Sequence, residues 1–239
     1  MAISNNAFWQ YNEDRATSGY KSAWLVALPE NNGKYSLVGL TTSVPYPFGD
    51  TETFEVNVLQ SQVIGQTKGK TTLESVDVPV YHHRDNVYRF EKLEGQVLNF
   101  MSINSEFVAY KYSGTLEYKP DTAEASENTA TVTITVISAS KVAVLDARTE
   151  IIENLCLKNA IPTTVASGTE LDFGVTQTDA TPTFEVKKIE PITNEETAMV
   201  STTNYTLNGT KIKFTTSGLM AVTVKDSNYA SWTTTVYVE

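Results

Sequence analysis

Thr129 to Ser138 reads TATVTITVIS. Val132, Ile134 and Val136 fall on one face and threonines on the other, which is the period-two alternation of a strand with one buried side. Its β-branched residues suit a pleated, half-buried surface. The same period recurs on the N-terminal side. Thr53 to Gln60 (TFEVNVLQ) places Phe54, Val56 and Val58 on one face, and Thr72 to Tyr81 continues with Leu73, Val76, Val78 and Val80. Pro79 inside that run marks an edge strand or a bulge, because proline has no N–H for a ladder. Between these two strands, Gly65 to Thr71 reads as a Gly/Lys-rich loop. After Tyr81 the period changes. Asp85 is placed to cap a helix carrying Val87, Phe90, Glu91 and Glu94, with Leu93 near the same face, and Gly95 is placed to end it. Strand character returns at Gln96 to Ile103 and Phe107 to Tyr118, before a polar acidic turn over Asp121 to Asn128.

The chain has 239 residues, 41% of them hydrophobic, and a formal net charge of −10. That length allows one large or two modest domains, and the wealth of threonine and valine favours an all-β or β-rich fold. The acidic balance argues against a protein that wraps nucleic acid by neutralising phosphates. Both halves, divided at Lys158, carry more acidic than basic residues. The single cysteine, Cys156, allows no intrachain disulfide and reads as a small buried hydrophobe between Leu155 and Leu157. The start, MAISNNAFWQYNED, lacks the basic and apolar regions of a secretory signal. No run approaches the roughly 20 apolar residues of a membrane helix. Synthesis and folding in the cytoplasm, without membrane insertion, is the expectation.

Met1 to Ser18 is a polar arm whose aromatics Phe8, Trp9 and Tyr11 suggest docking on its own module or on a neighbour. Ser22 to Leu28 is an apolar strand, Asn31-Asn32-Gly33 has hairpin chemistry, and Tyr35 to Leu40 returns as the partner. Thr41 to Glu52 (TTSVPYPFGDTE) reads as a long loop presenting Tyr46 and Phe48 as contact residues. Lys141 to Leu157 is an ambiguous connector: Val142, Val144 and Ala147 suit an extension of the strand, and Thr149, Ile151, Ile152 and Leu155 suit a short capped helix. Beyond it the texture changes to short strands and frequent turns. Candidate strands are Leu171 to Val175, Thr183 to Ile189, Tyr205 to Leu207, Lys211 to Phe214, Leu219 to Lys225 and Trp232 to Val238. Short strands at this spacing form an immunoglobulin-like sandwich pattern. The reading is therefore two modules, 1–157 (arm 1–18, connector 141–157) and 158–239.

No motif supplies chemistry. Gly65 to Thr71 has three residues between its glycines where a phosphate loop needs four, and a strand rather than a helix is expected after it. It reads instead as a basic loop whose Lys68 and Lys70 meet acidic surface on another copy. His82 and His83 are adjacent, so on extended chain they point apart and ligate one metal poorly. Glu91 with Glu94, and Glu195 with Glu196, read as solvated charges rather than a pair across a cleft. No nucleophile elbow accompanies either histidine. Two glycosylation sequons, at Asn204 and Asn208, carry little meaning without a secretory signal. Catalytic, cofactor-binding and metal-binding residues are all expected to be absent, and the protein is expected not to be an enzyme.

The order of elements over about residues 20 to 150 resembles the tail tube (major tail) proteins of long-tailed bacteriophages. The likeness rests on an amphipathic strand, the Gly/Lys segment, a strand ending at Val80-Tyr81-His82, the short helix NVYRFEKLEG, and two strands closing with GTLEYKPDTAEASENTATVTITVIS. The segment GLMAVTVKDSNYASWTTTVYVE resembles the last hairpin of bacterial Ig-like domains, which recur at the C-terminus of that family. The resemblance implies a mainly β fold: a helix-flanked tail-tube-like sandwich or barrel followed by an Ig-like sandwich. It implies a virion protein, assembling as hexameric rings stacked into a tube that conducts DNA without binding it specifically. Terminator and distal tail proteins would be its partners, and Phe8, Trp9, Tyr46, Phe48, Lys68 and Lys70 its inter-subunit contacts. The Ig-like module would project outward, dispensable for the tube, with weak contact to cell-surface glycans; an outer wall occupied in this way favours a non-contractile tail. The alternative is a two-domain surface adhesin or carbohydrate-binding protein, to which Trp9, Trp24, Trp232 and twelve tyrosines offer stacking surfaces.

Overall fold

The computed structural model describes residues 22–38, 41, 43–44, 46–56, 65–103, 109–121, 129–142 and 149–239, with 49–56, 65–71 and 141–142 described by their backbone alone. The fold is mainly β. The first part holds β1 (Ala23–Ala27), β2 (Tyr35–Ser36), β3 (Phe48–Val56), β4 (Gly65–Leu73), β5 (Val76–Tyr81), helix α1 (Arg84–Leu93), β6 (Val97–Ile103), β7 (Ala109–Pro120) and β8 (Thr129–Val142). Six of these strands form one sheet in the order β2-β1-β6-β7-β8-β5, while β3 and β4 form a separate two-stranded ribbon.

Alternation dictates what the sheet buries. Val132 and Ile134 of β8 pack with Val76, Val78 and Val80 of β5 and with Phe90 from the helix. Trp24 of β1 stacks on Phe100 at 5.7 Å, and its indole N–H donates to the Tyr112 hydroxyl at 2.8 Å, so a buried polar atom has its partner. Phe90 lies flat against Tyr118, with ring centroids 5.8 Å apart. Strand β1 is buried along its whole length, because Leu25, Met101, Ile103 and Ala109 form a smaller core on the opposite face. Gly114 permits a close approach in this sheet: a Cβ there would stand 2.3 Å from the Thr135 carbonyl oxygen, at the irregularity where β7 and β8 shift register.

Several expectations change. The Gly/Lys segment is strand β4, not a loop: Gly65 to Lys68 pair with Val56 to Thr53. A ribbon is held by its backbone ladder, so it forms without the apolar alternation by which strands were recognised. Its partner β3 begins at Phe48, inside the stretch read as a loop, and the pair absorbs two register shifts between Phe48 and Thr53. The expected strand Thr72 to Tyr81 is divided at Glu74 and Ser75 between β4 and β5. Pro79 does lie on an edge strand. Helix α1 is capped at His83, in extended conformation and without a side-chain cap, so Asp85 sits inside the first turn rather than before it. Gly95 follows the helix with φ +72°, a conformation glycine reaches at no steric cost.

From Ile151 onward the connector is extended. Tyr35 N–H donates to the Glu150 carbonyl at 2.7 Å and Ile152 N–H to the Tyr35 carbonyl at 2.9 Å, while Leu155 and Glu153 exchange bonds with Ala230. Tyr35 holds the β-branched pair Ile151-Ile152 extended and Ala230 does the same for Glu153 to Leu155, so of the two conformations open to this stretch the helical one is not taken from Ile151 to Leu155.

The second part contains β9 (Thr164–Val165), β10 (Glu170–Asp172), β11 (Thr183–Ile189), β12 (Glu196–Ala198), β13 (Tyr205–Asn208), β14 (Lys211–Phe214), β15 (Gly218–Lys225) and β16 (Trp232–Val238). Sheet β10-β14-β13 faces sheet β12-β11-β15-β16-β9. That strand order is the Ig-like arrangement, with β9 parallel to the last strand. Phe173, Phe214, Met220, Val222 and Val236 fill its core. Among the described residues, no helix is long and apolar enough to cross a membrane.

Candidate interaction surfaces

Three surfaces stand out. The first is at the base of the ribbon. Tyr46 and Phe48 remain 45% and 38% exposed and meet Tyr110 edge-on, at centroid distances of 4.8 and 5.6 Å. Leu73, paired with Phe48 across the ribbon, is 40% exposed. The sequence therefore located an exposed aromatic patch, to which Tyr110 and Leu73 are additions. Lys68 and Lys70 lie on β4, with Lys68 opposite Thr53. Phe8 and Trp9 lie outside the described residues.

The second surface is the outward face of β6, β7, β8 and β5. Glu117, Thr133 and Asp77 form one cross-strand row, and Val97, Thr115 and Thr135 another. Thr133 donates to Asp77 at 2.8 Å, and Thr131 reaches Asp121 at 3.1 Å. The face is polar and rich in threonine, with Val97 and Ile137 exposed on it.

The third is the junction between modules. A cleft of about 480 Å³ has Leu37, Val38 and Leu93 on one wall and Lys187, Tyr229 and Trp232 on the other. Helix α1 supplies most of the polar contacts beside it. Arg89 lays its guanidinium carbon 3.6 Å from the Trp232 ring centre and donates to the carbonyls of Val38 and Thr233. Asp85 accepts bonds from Thr234 and Thr235. Asn194 donates to Glu91 at 3.0 Å.

Glu196 is the centre of an ionic group that spans the two modules, rather than a solvated loop charge. It accepts the Tyr88 hydroxyl at 2.6 Å, pairs with Lys92, and pairs with Lys187 at 3.0 Å. Burial alone would raise its pKa; Lys92, Tyr88 and Lys187 outweigh that and hold it down at about 2. Burial, and then the bond to Glu196, raises the Tyr88 phenol in turn. Beneath the junction, the buried Asn154 side chain imitates a strand neighbour: its carbonyl accepts Leu37 N–H at 2.9 Å and its amide donates to the Leu37 carbonyl at 2.8 Å. Gln177 does the same for the connector, accepting from Cys156 N–H and donating to the Asn154 carbonyl.

Chemistry is sparse on these surfaces. His82 Nδ1 lies 2.7 Å from the Tyr118 hydroxyl, and His83 occupies the helix cap. Cys156 is buried, which pushes its thiol up to about 11 and away from the reactive thiolate. Burial, and then Asp179, raises the Glu153 carboxyl. Among the described residues, no group of three or more His, Cys, Asp or Glu side chains is placed to hold a metal. Sequence reasoning missed Asp85, Arg89, Asn154 and Glu196 as junction residues; the only local hint was the four-residue spacing of Asp85 and Arg89 on a helix. Compared with known proteins, the chain matches no family model and no curated protein by sequence.

Proposed function

We propose that this chain is a structural subunit that assembles with copies of itself, as hexameric rings stacked into the tail tube of a phage virion. The observation that carries this reading is the ribbon β3–β4, which shares no ladder with any other described strand. A two-stranded hairpin is marginal in water on its own, and this one has Tyr46, Phe48 and Leu73 exposed at its base. Packing against the next copy would bury that patch. The polar face of β5 to β8, on a chain of net charge −10, is suited to a channel wall along which DNA slides without adhering. In this reading the Ig-like module faces outward on a non-contractile tail.

The adhesin reading finds less support. Trp232 is the aromatic at the cleft best suited to stack a sugar, and the Arg89 guanidinium already lies over its ring. Negative-stain microscopy of the purified chain, with sedimentation over a concentration series, tests the proposal. Rings or tubes are expected, and Tyr46→Ser combined with Phe48→Ser should abolish them while leaving a folded monomer. A monomer that stays monodisperse at high concentration would sink it, and binding on a glycan array would then favour the alternative.

A further inference from the structure

Strand β16 forms a ladder with β15 on one side. On its other side, backbone groups of alternate residues point outward together. Their partners come from two sources. Toward the C-terminus they belong to the strand β9 region: Tyr237 N–H donates to the Thr163 carbonyl at 2.9 Å and Glu239 N–H to the Val165 carbonyl at 2.9 Å. Toward the N-terminus they are side chains of helix α1: Thr235 N–H donates to Asp85 Oδ1 at 2.7 Å, and the Thr233 carbonyl accepts from the Arg89 guanidinium. Arg84 closes the seam by donating to the same Thr163 carbonyl at 2.9 Å.

The fit is geometric as well as chemical. Residues four apart on a helix are separated by about 6 Å along its axis. Residues two apart on a strand are separated by about 6.6 Å. Asp85 and Arg89 therefore match the spacing of Thr235 and Thr233, with an acceptor opposite the N–H and a donor opposite the carbonyl. The carboxylate also straddles the edge, taking the Thr234 hydroxyl at 2.9 Å and the Thr235 hydroxyl at 2.6 Å. Thr235 and its cross-strand partner Ala221, on the sheet face opposite the Ig-like core, are buried as well.

We infer that helix α1 of the first module is a surrogate strand that completes the open edge of the second module's sheet, so that the two modules form one rigid body in which Asp85 and Arg89 fix the orientation. The Ig-like module is then a docked part of the subunit, not a decoration swinging on a tether. The same bonds close an edge that would otherwise be available to a strand from another molecule. The inference concerns the single chain and stands or falls independently of tube assembly.

The test is NMR-detected amide exchange on the full-length chain at dilution, together with calorimetry. In the unaltered protein the Thr235 amide should be protected as strongly as the amides of the β15–β16 ladder, and heating should give one transition. Asp85→Ala should speed Thr235 exchange about tenfold or more while the Thr234 amide changes little. Asp85→Ala combined with Arg89→Ala should split the transition in two. Thr235 exchanging at loop rates in the unaltered chain, two transitions in that chain, or no response of Thr235 to Asp85→Ala would each overturn the inference. Should the variants fail to fold, the two measurements on the unaltered chain decide it.

Discussion

The edges of the two large sheets are protected in different ways. On the first sheet, β5 is held by β8 on one side, and a single bridge from Thr41 to Val80 is seen on the other among the described residues. Pro79 lies in this strand and contributes no N–H to its edge. On the Ig-like sheet, β16 is closed by Asp85 and Arg89, side chains about 150 residues away in the chain. The opposite edge of the first sheet follows the second pattern, since the backbone of Leu37, just beyond β2, is met by the Asn154 amide. A proline protects an edge locally and at small energetic cost. A remote side chain protects it and also joins two parts of the molecule, so its loss is felt in both.

That contrast can be broken at its strongest point with Asn154→Ala. Two buried backbone groups of Leu37 would lose their partners, so the variant should lose about 2–4 kcal/mol, read from the denaturation midpoint. A loss below about 0.5 kcal/mol would mean that the Asn154 amide contributes little to the β2 edge. Glu196→Gln sharpens the comparison through pH. The carboxyl is held at about 2 in the folded chain against a usual 4.5. Its contribution is present above about pH 4.5 and is lost as pH falls toward 2. The variant should lose about 1 kcal/mol at neutral pH, and its unfolding free energy should vary less than the parent's over that acid window. Parallel pH profiles would remove Glu196 from the junction. The smallest effect is expected from Pro79→Val. Stability should stay within about 0.5 kcal/mol, while light scattering should show faster concentration-dependent association as the edge regains an N–H.

Much of the fold was legible because a period of two in apolar residues reports burial directly. TATVTITVIS and the strands at Thr183, Lys211, Gly218 and Trp232 were readable in that way, while the helix around Phe90 showed as a change of period and Gly95 as its stop. Pattern reading failed where backbone pairing rather than burial makes the structure. The ribbon strand at Gly65 and the short strands at Thr164 and Glu196 carry no apolar alternation. The connector failed for a related reason: Ile151, Ile152 and Leu155 suit a helix face or a strand equally, and the backbones of Tyr35 and Ala230 decided between them.

The sequence by itself determined a mainly β chain, the helix after Tyr81, the exposed aromatics Tyr46 and Phe48, and an acidic surface. Each follows from side-chain chemistry acting over a few residues. Only the tertiary structure decided that Asp85, Arg89, Asn154 and Glu196 are junction residues. Their carboxylates, amide and guanidinium are as well satisfied by water as by protein. They gain a role only when folding brings them within hydrogen-bond reach of backbone edges and charges far away in the chain.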